Sequence, residues 1–118
     1  MSEEPSAPGA QAVNYDDIVS AWESLAPGPK ARAMRSVFEE QSALVTELQR
    51  QHMEMTTEIA VCVVRARAAA ELHQEDVKRQ IIENEVGPKV KERELLGLKI
   101  QENQRLLDAY TTIGKGII

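Results

Sequence analysis

From Pro29 to Val86 nothing in the chain breaks a helix. The next proline is Pro88, and the intervening stretch is filled with Ala, Glu, Leu, Gln, Lys, Arg and Met, the residues that lose least on entering a helix. Unbroken, it would reach roughly 85 Å at 1.5 Å per residue. Such a stretch dictates long helices rather than a globule. Aromatic residues, the usual bulk of a compact core, are only 3% of the sequence, and sheet is not expected.

Two periods compete within this stretch. Steps of eleven collect Ala33, Leu44, Met55, Ala66 and Val77, and in a second row Val37, Leu48, Ile59, Ala70 and Ile81, all apolar. A strict heptad gives Val45, His52, Ile59, Ala66, His73 and Gln80, with Leu48, Met55, Cys62, Ala69 and Asp76. It starts well and decays. The eleven-residue repeat is therefore the expected one, and it favours a nearly straight bundle over a tight left-handed supercoil. The segment EIAVCVVRARAAAELH, Glu58 to His73, opens with six apolar residues in a row. It is too short for the ~18 residues of a membrane helix, and helical pattern on both sides disfavours a strand. Its wide apolar arc is expected to be covered by more than one helix, at the thickest point of a bundle.

The flanks complete the plan. Residues 1–13, small, polar and proline-containing, read as a disordered acidic tail. Residues 14–26 read as a short amphipathic helix. Asn14 is its N-cap, Asp16 and Asp17 lie in its first turn, and Tyr15, Ile18, Trp22 and Leu25 form its stripe. Pro27-Gly28-Pro29 ends it. A helix of about three turns is marginal alone, so it either folds back on the long helix or docks on another protein, and folding back is the commoner fate. Gly87-Pro88 is expected to end or kink the long helix of 29–86. A second helix over 88–113 carries a seam of Leu96, Ile100, Asn103, Leu107 and Tyr110, in which Asn103 can fix register. Residues 114–118 lack helical logic. The fold class is all-α: an elongated helical hairpin or coiled coil with a short N-terminal amphipathic helix.

The chemistry is sparse. His52, Met53, Met55, Cys62 and His73 are the potential metal ligands, but on one helix His52 and Cys62 stand about 15 Å apart, so no metal site and no cofactor are expected. No phosphate-binding loop and no nucleophile–base spacing is present, and the chain is not expected to be an enzyme or to take a small-molecule substrate. Residues 1–25 carry Glu3, Glu4, Asp16, Asp17 and Glu23 without a Lys or Arg, while the remainder is balanced in charge. That is not the footprint of a nucleic-acid binder. Lys30, Arg32 and Arg35 oppose the dipole of the long helix. They are expected to pair with the acidic residues of the short helix, the alternative being contact with an external anion or acidic partner.

What remains is association. Trp22, Leu44, Leu48, Met55, Ile59, Cys62, Val63, Leu96, Ile100, Asn103, Leu107 and Tyr110 are the expected partner-binding residues. The expected partners are other helical chains, in homo- or hetero-oligomers. The function class is a non-enzymatic coiled-coil subunit or adaptor of a multiprotein complex. In general texture the chain is similar to small subunits of cytoskeletal, chromosome-segregation or tethering complexes, without a family motif. A self-contained bundle that binds a peptide or protein as a regulator is the second class. One cysteine and no signal peptide or membrane span place the protein, as an expectation, inside the cell, in cytoplasm or nucleus.

Overall fold

The computed structural model describes residues 15–25 and 28–117. The described chain is all-α. Helix α1 spans Tyr15–Leu25, α2 Pro29–Glu71, and α3 Glu75–Ile81. A π-helical turn, Ile82–Val86, joins α3 to α4, Gly87–Ile117. The tail expected over 1–13 and the Asn14 cap lie outside the described residues. Contacts divide the chain into two units: Met1–Ser42 with Arg105–Ile118, and Ala43–Gln104.

The first unit packs α1 against the start of α2 and the end of α4. Gly28 sits at φ +87°, a conformation glycine adopts without penalty, and Pro29 then opens α2 with its φ already suited to the first helical position. Helix α1 folds back as expected. Tyr15 stacks on Phe38 with ring centroids 5.2 Å apart, and Val19 and Phe38 are fully buried. Helix α4 does not stop at residue 113 but runs on through Gly114. A Cβ there would collide with Ile18 Cγ2 and lie 3.6 Å from Met34 Sδ. The missing side chain is what lets three helices meet.

The second unit is an antiparallel hairpin, and its turn is not at Gly87-Pro88. Helix α2 ends at Glu71, and the chain reverses over Leu72–Gln74. The Gln74 N–H donates to Ala69 O at 2.8 Å and the His73 N–H to Ala70 O at 3.0 Å. That is the six-to-one and five-to-two pairing that satisfies terminal carbonyls when the residue after the helix turns left-handed. His73 is that residue, at φ 58°. Glu75 and Asp76 then stand in the first turn of α3, where the dipole favours carboxylates. The expected 29–86 helix is therefore corrected to 29–71, because a histidine takes the place that glycine usually fills.

Gly87-Pro88 instead lies within continuous helical backbone. Proline has no N–H to donate and crowds the carbonyl four residues back. The turn before it widens, with the Gly87 N–H donating to Ile82 O five residues back. A π-turn adds one residue to the helix, so the buried positions shift: Ile81 and Val86, five apart, face inward, while Ile82 is exposed.

The eleven-residue repeat is also corrected. In the first unit Ala31, Met34, Phe38 and Gln41 of α2 face inward. In the second, Val45, Leu48, His52, Met55, Ile59, Cys62, Ala66 and Ala69 do so. Every one is buried or half-buried, and the spacing alternates three and four. Ala33, Val37, Leu44 and Val77, members of the eleven-step rows, are exposed. The heptad decays at His73 because the helix has ended there.

Candidate interaction surfaces

In the hairpin of the second unit, α2 partners step down as the returning helix steps up. Arg65 meets Glu85 at 2.7 Å, Glu58 meets Lys89 at 3.2 Å, Thr56 meets Arg93 at 3.4 Å, and Gly97 lies beside His52. The centre of the seam is made of small side chains. Cys62, Ala66 and Ile81 form a buried cluster with Val86 packed on it. Alanines allow close approach, and the ion pairs flank the seam at its water-exposed edges. The Cys62 thiol contacts Glu85 Oε1 at 3.7 Å, and no group of three metal-ligating residues is present among the described residues.

The pairs tune their members. Hydrogen bonding to Arg65 lowers the Glu85 pKa below its ordinary 4.5, and hydrogen bonding to Glu58 raises that of Lys89. On one face of α2, Arg50 bridges Glu47 and Glu54 at 2.7 and 2.9 Å. Its hydrogen bonds and that of Gln51 bring Glu47 from 4.5 to about 2. Arg50 and Glu54 line a polar groove of about 470 Å³ with Gln51, Glu58, Lys89 and Glu92, and Arg50 and Lys89 both have carboxylate partners of their own in it.

One side of the hairpin has no cover. Thr57, Val61, Val64 and Ala68, three or four residues apart, run along the side of α2 away from the seam, and Leu72 carries the line into the turn, all exposed. Val61 is 54% and Val64 and Leu72 are each 68% exposed. The six apolar residues Ile59–Val64 thus serve two sides: Ile59 and Cys62 face the seam, Val61 and Val64 face outward. Within this unit the returning helix covers the seam side of the arc, and Val61 and Val64 on its other side remain exposed.

The expected partner-binding residues divide. Leu48, Ile59, Cys62 and Leu96 are buried in the hairpin seam, and Met55, Ile100 and Asn103 are half-buried along it. Leu44 and Val63 are exposed. Asn103 donates its amide to Lys99 O of its own helix at 2.9 Å. Trp22, Leu107 and Tyr110 are half-buried in the first unit. Of the basic cluster, Arg35 pairs with Asp16 at 3.0 Å and reaches Glu23 at 3.9 Å, while Lys30 and Arg32 are exposed. The outward positions Val61, Val64, Ala68 and Leu72 were missed as a set, although their spacing alone marks a stripe.

The first unit holds an apolar groove of about 270 Å³. Trp22, Met34, Val37, Phe38, Tyr110 and Ile113 line it, and Lys30 is its one charged residue. It is smaller than the roughly 300–1,000 Å³ typical of small-molecule sites. The Trp22 Nε1–H is buried and has no hydrogen-bond acceptor among the described residues.

No helix among the described residues is long and apolar enough to cross a membrane. No protein-family model, curated protein or solved structure matches the chain.

Proposed function

We propose that the protein is a non-enzymatic coiled-coil subunit or adaptor that assembles with other helical chains in a multiprotein complex inside the cell. The observation that carries this reading is the outward stripe Val61–Val64–Ala68–Leu72. A two-helix hairpin buries one stripe and gains little core. A second apolar stripe on the same helix is the pattern of a helix that packs on two sides. The ion pairs at the seam's edges hold the hairpin in register, and the outer stripe is left for another chain.

Sedimentation velocity with circular dichroism tests this on wild type, Val61→Asp/Val64→Asp and Ile59→Asp. The reading expects the outward double substitution to abolish association while helicity is retained, and Ile59→Asp to cost helicity by burying an unpaired charge in the seam. A chain that is monomeric and melts cooperatively whether or not Val61 and Val64 are charged contradicts it.

A second reading, a self-contained bundle that binds a peptide or protein as a regulator, is favoured by the groove of the first unit. That groove lies among Trp22, Phe38 and Tyr110 and does not involve the outward stripe.

A further inference from the structure

The outward stripe of α2 matches its own reverse. Thr57, Val61, Val64 and Ala68 are spaced four, three and four residues apart, so from either end the line reads small residue, valine, valine, small residue. The alternation of four and three is that of a coiled-coil seam. Laid antiparallel on a second copy, with a two-fold axis level with the middle of Cys62-Val63, Val61 of each chain meets Val64 of the other and Thr57 meets Ala68. A two-fold interface uses one patch twice, so the patch must complement itself, and all four residues are exposed for it.

The charges beside the stripe select that direction. Glu58 and Arg65, seven residues apart, flank the same edge of it. In the antiparallel register Glu58 of one copy stands within about 3 Å, along the axis, of Arg65 of the other, twice over by symmetry. Each already has a partner across its own hairpin, Lys89 for Glu58 and Glu85 for Arg65. Their side chains nonetheless stay 48% and 52% exposed, and a guanidinium has further donors beyond the two nitrogens that Arg65 gives to Glu85. Contact joins them into one row of alternating sign: Lys89 and Glu58, then Arg65 and Glu85 of the other copy. A parallel pair sets Arg65 beside Ala60 and Glu58 beside Met53, and no charge is matched. The antiparallel register makes one like-charged pair, Glu54 with Glu71 of the other copy, and Glu54 is already held by Arg50 at 2.9 Å.

We propose that the occupant of the outward stripe is a second copy of this chain, with the two α2 helices antiparallel and centred on Cys62-Val63. This rests on the subunit reading of the same stripe and names the helical chain that covers it. Residues 57 to 68 span only about 17 Å of helix, and a contact of that length is smaller than a permanent dimer interface. The pairing is therefore a reversible one that follows chain concentration.

Cross-linking tests it. Thr57→Cys and Ala68→Cys are made as separate full-length variants and oxidised alone and as an equimolar mixture, with wild type, whose Cys62 is buried, as the control. In the proposed pair, position 57 lies about 16 Å along the axis from its own mate, beyond the reach of a disulfide, but opposite position 68. The mixture is expected to give a cross-linked dimer with one chain of each variant, and neither variant alone gives one. Glu71→Lys, which meets Glu54 of the other copy, is expected to raise the association constant severalfold in sedimentation velocity; in a parallel pair it meets only itself. A cross-link within either variant alone, or an unchanged or lowered constant for Glu71→Lys, overturns the proposal. A wild type that stays monomeric and poorly helical, with no cross-link in the mixture, overturns the second copy and leaves the subunit reading to a different helical chain. A monomer that melts cooperatively whether or not Val61 and Val64 are charged overturns both.

Discussion

The two units use the same helices α2 and α4 for opposite purposes. In the first, a third helix closes the packing: Val19 and Phe38 lose all contact with water, a glycine lets the backbones approach, and the charges of Arg35, Asp16 and Glu23 are spent on each other. In the second, two helices meet along a single seam in which Val45, Leu48, Ile59 and Leu96 are buried and which narrows to Cys62, Ala66 and Ala69 toward the turn, while Val61 and Val64 on the far side of α2 remain in water. Large aromatic cores stabilise by area removed from water. A two-helix seam buries one stripe from each helix, and where that stripe is Cys62, Ala66 and Ala69 it sets distance more than it removes area from water. The first unit thus closes a core of large side chains within its own chain, and the outer stripe of the second is what the proposed function assigns to another.

Substitutions can break this contrast. The largest effect is expected at Phe38→Ala, which removes a fully buried ring and should cost about 3–5 kcal/mol, read as a lower urea midpoint and loss of protection around α1. Glycine-to-alanine changes give the sharper test because they should differ in sign. Gly114→Ala drives a methyl into Ile18 and should destabilise by about 1–3 kcal/mol. Gly97→Ala in the hairpin meets only His52 Nε2 at 3.9 Å and should stabilise by up to about 1 kcal/mol through helix propensity. Thermal unfolding of both variants decides; equal signs would erase the distinction between a closed core and an open seam.

His73→Gly should stabilise the hairpin by about 0.5–1 kcal/mol, since the residue at φ 58° then escapes the left-handed penalty at some entropic cost. The smallest effect concerns pH. Glu85 has a depressed pKa in the folded state, so its pairing with Arg65 contributes fully above 4.5 and is lost as pH falls through the lowered value. Glu85→Gln should flatten the fall of Tm below pH 4.5, and an unchanged slope would show the pair to be without consequence for stability.

Much of this architecture was legible in the sequence. Helix α1, its foldback and the pairing of Arg35 follow from apolar spacing and opposite charge. The seam residues Leu48, Ile59, Cys62 and Leu96 follow from spacing as well. The turn escaped because Leu72-His73-Gln74 holds neither glycine nor proline, whereas the glycine–proline pair that should end a helix is absorbed by a π-turn. The information was present in another form: the heptad through Val45, Ile59 and Ala66 reaches His73 and then fails, and its failure marks the helix end. A period that fits badly over a long window can fit perfectly over a shorter one. The outer stripe was harder to see because Ile59 to Val64 merges two faces into one run of letters. The groove at Trp22 needs three segments brought together from α1, α2 and α4, and no local pattern announces it.

The central claim is that the first unit is complete and the second is not. Amide hydrogen exchange on the isolated chain, at concentrations where it is monomeric, measures this directly, since local opening reports local stability. The account predicts that α1 and the amides around Phe38 and Gly114 are the slowest to exchange. Residues 59–82 should exchange much faster and become protected when the chain associates. Equal protection of both units in the monomer would contradict it, and the outward stripe would then be an exposed face of a hairpin that needs no partner.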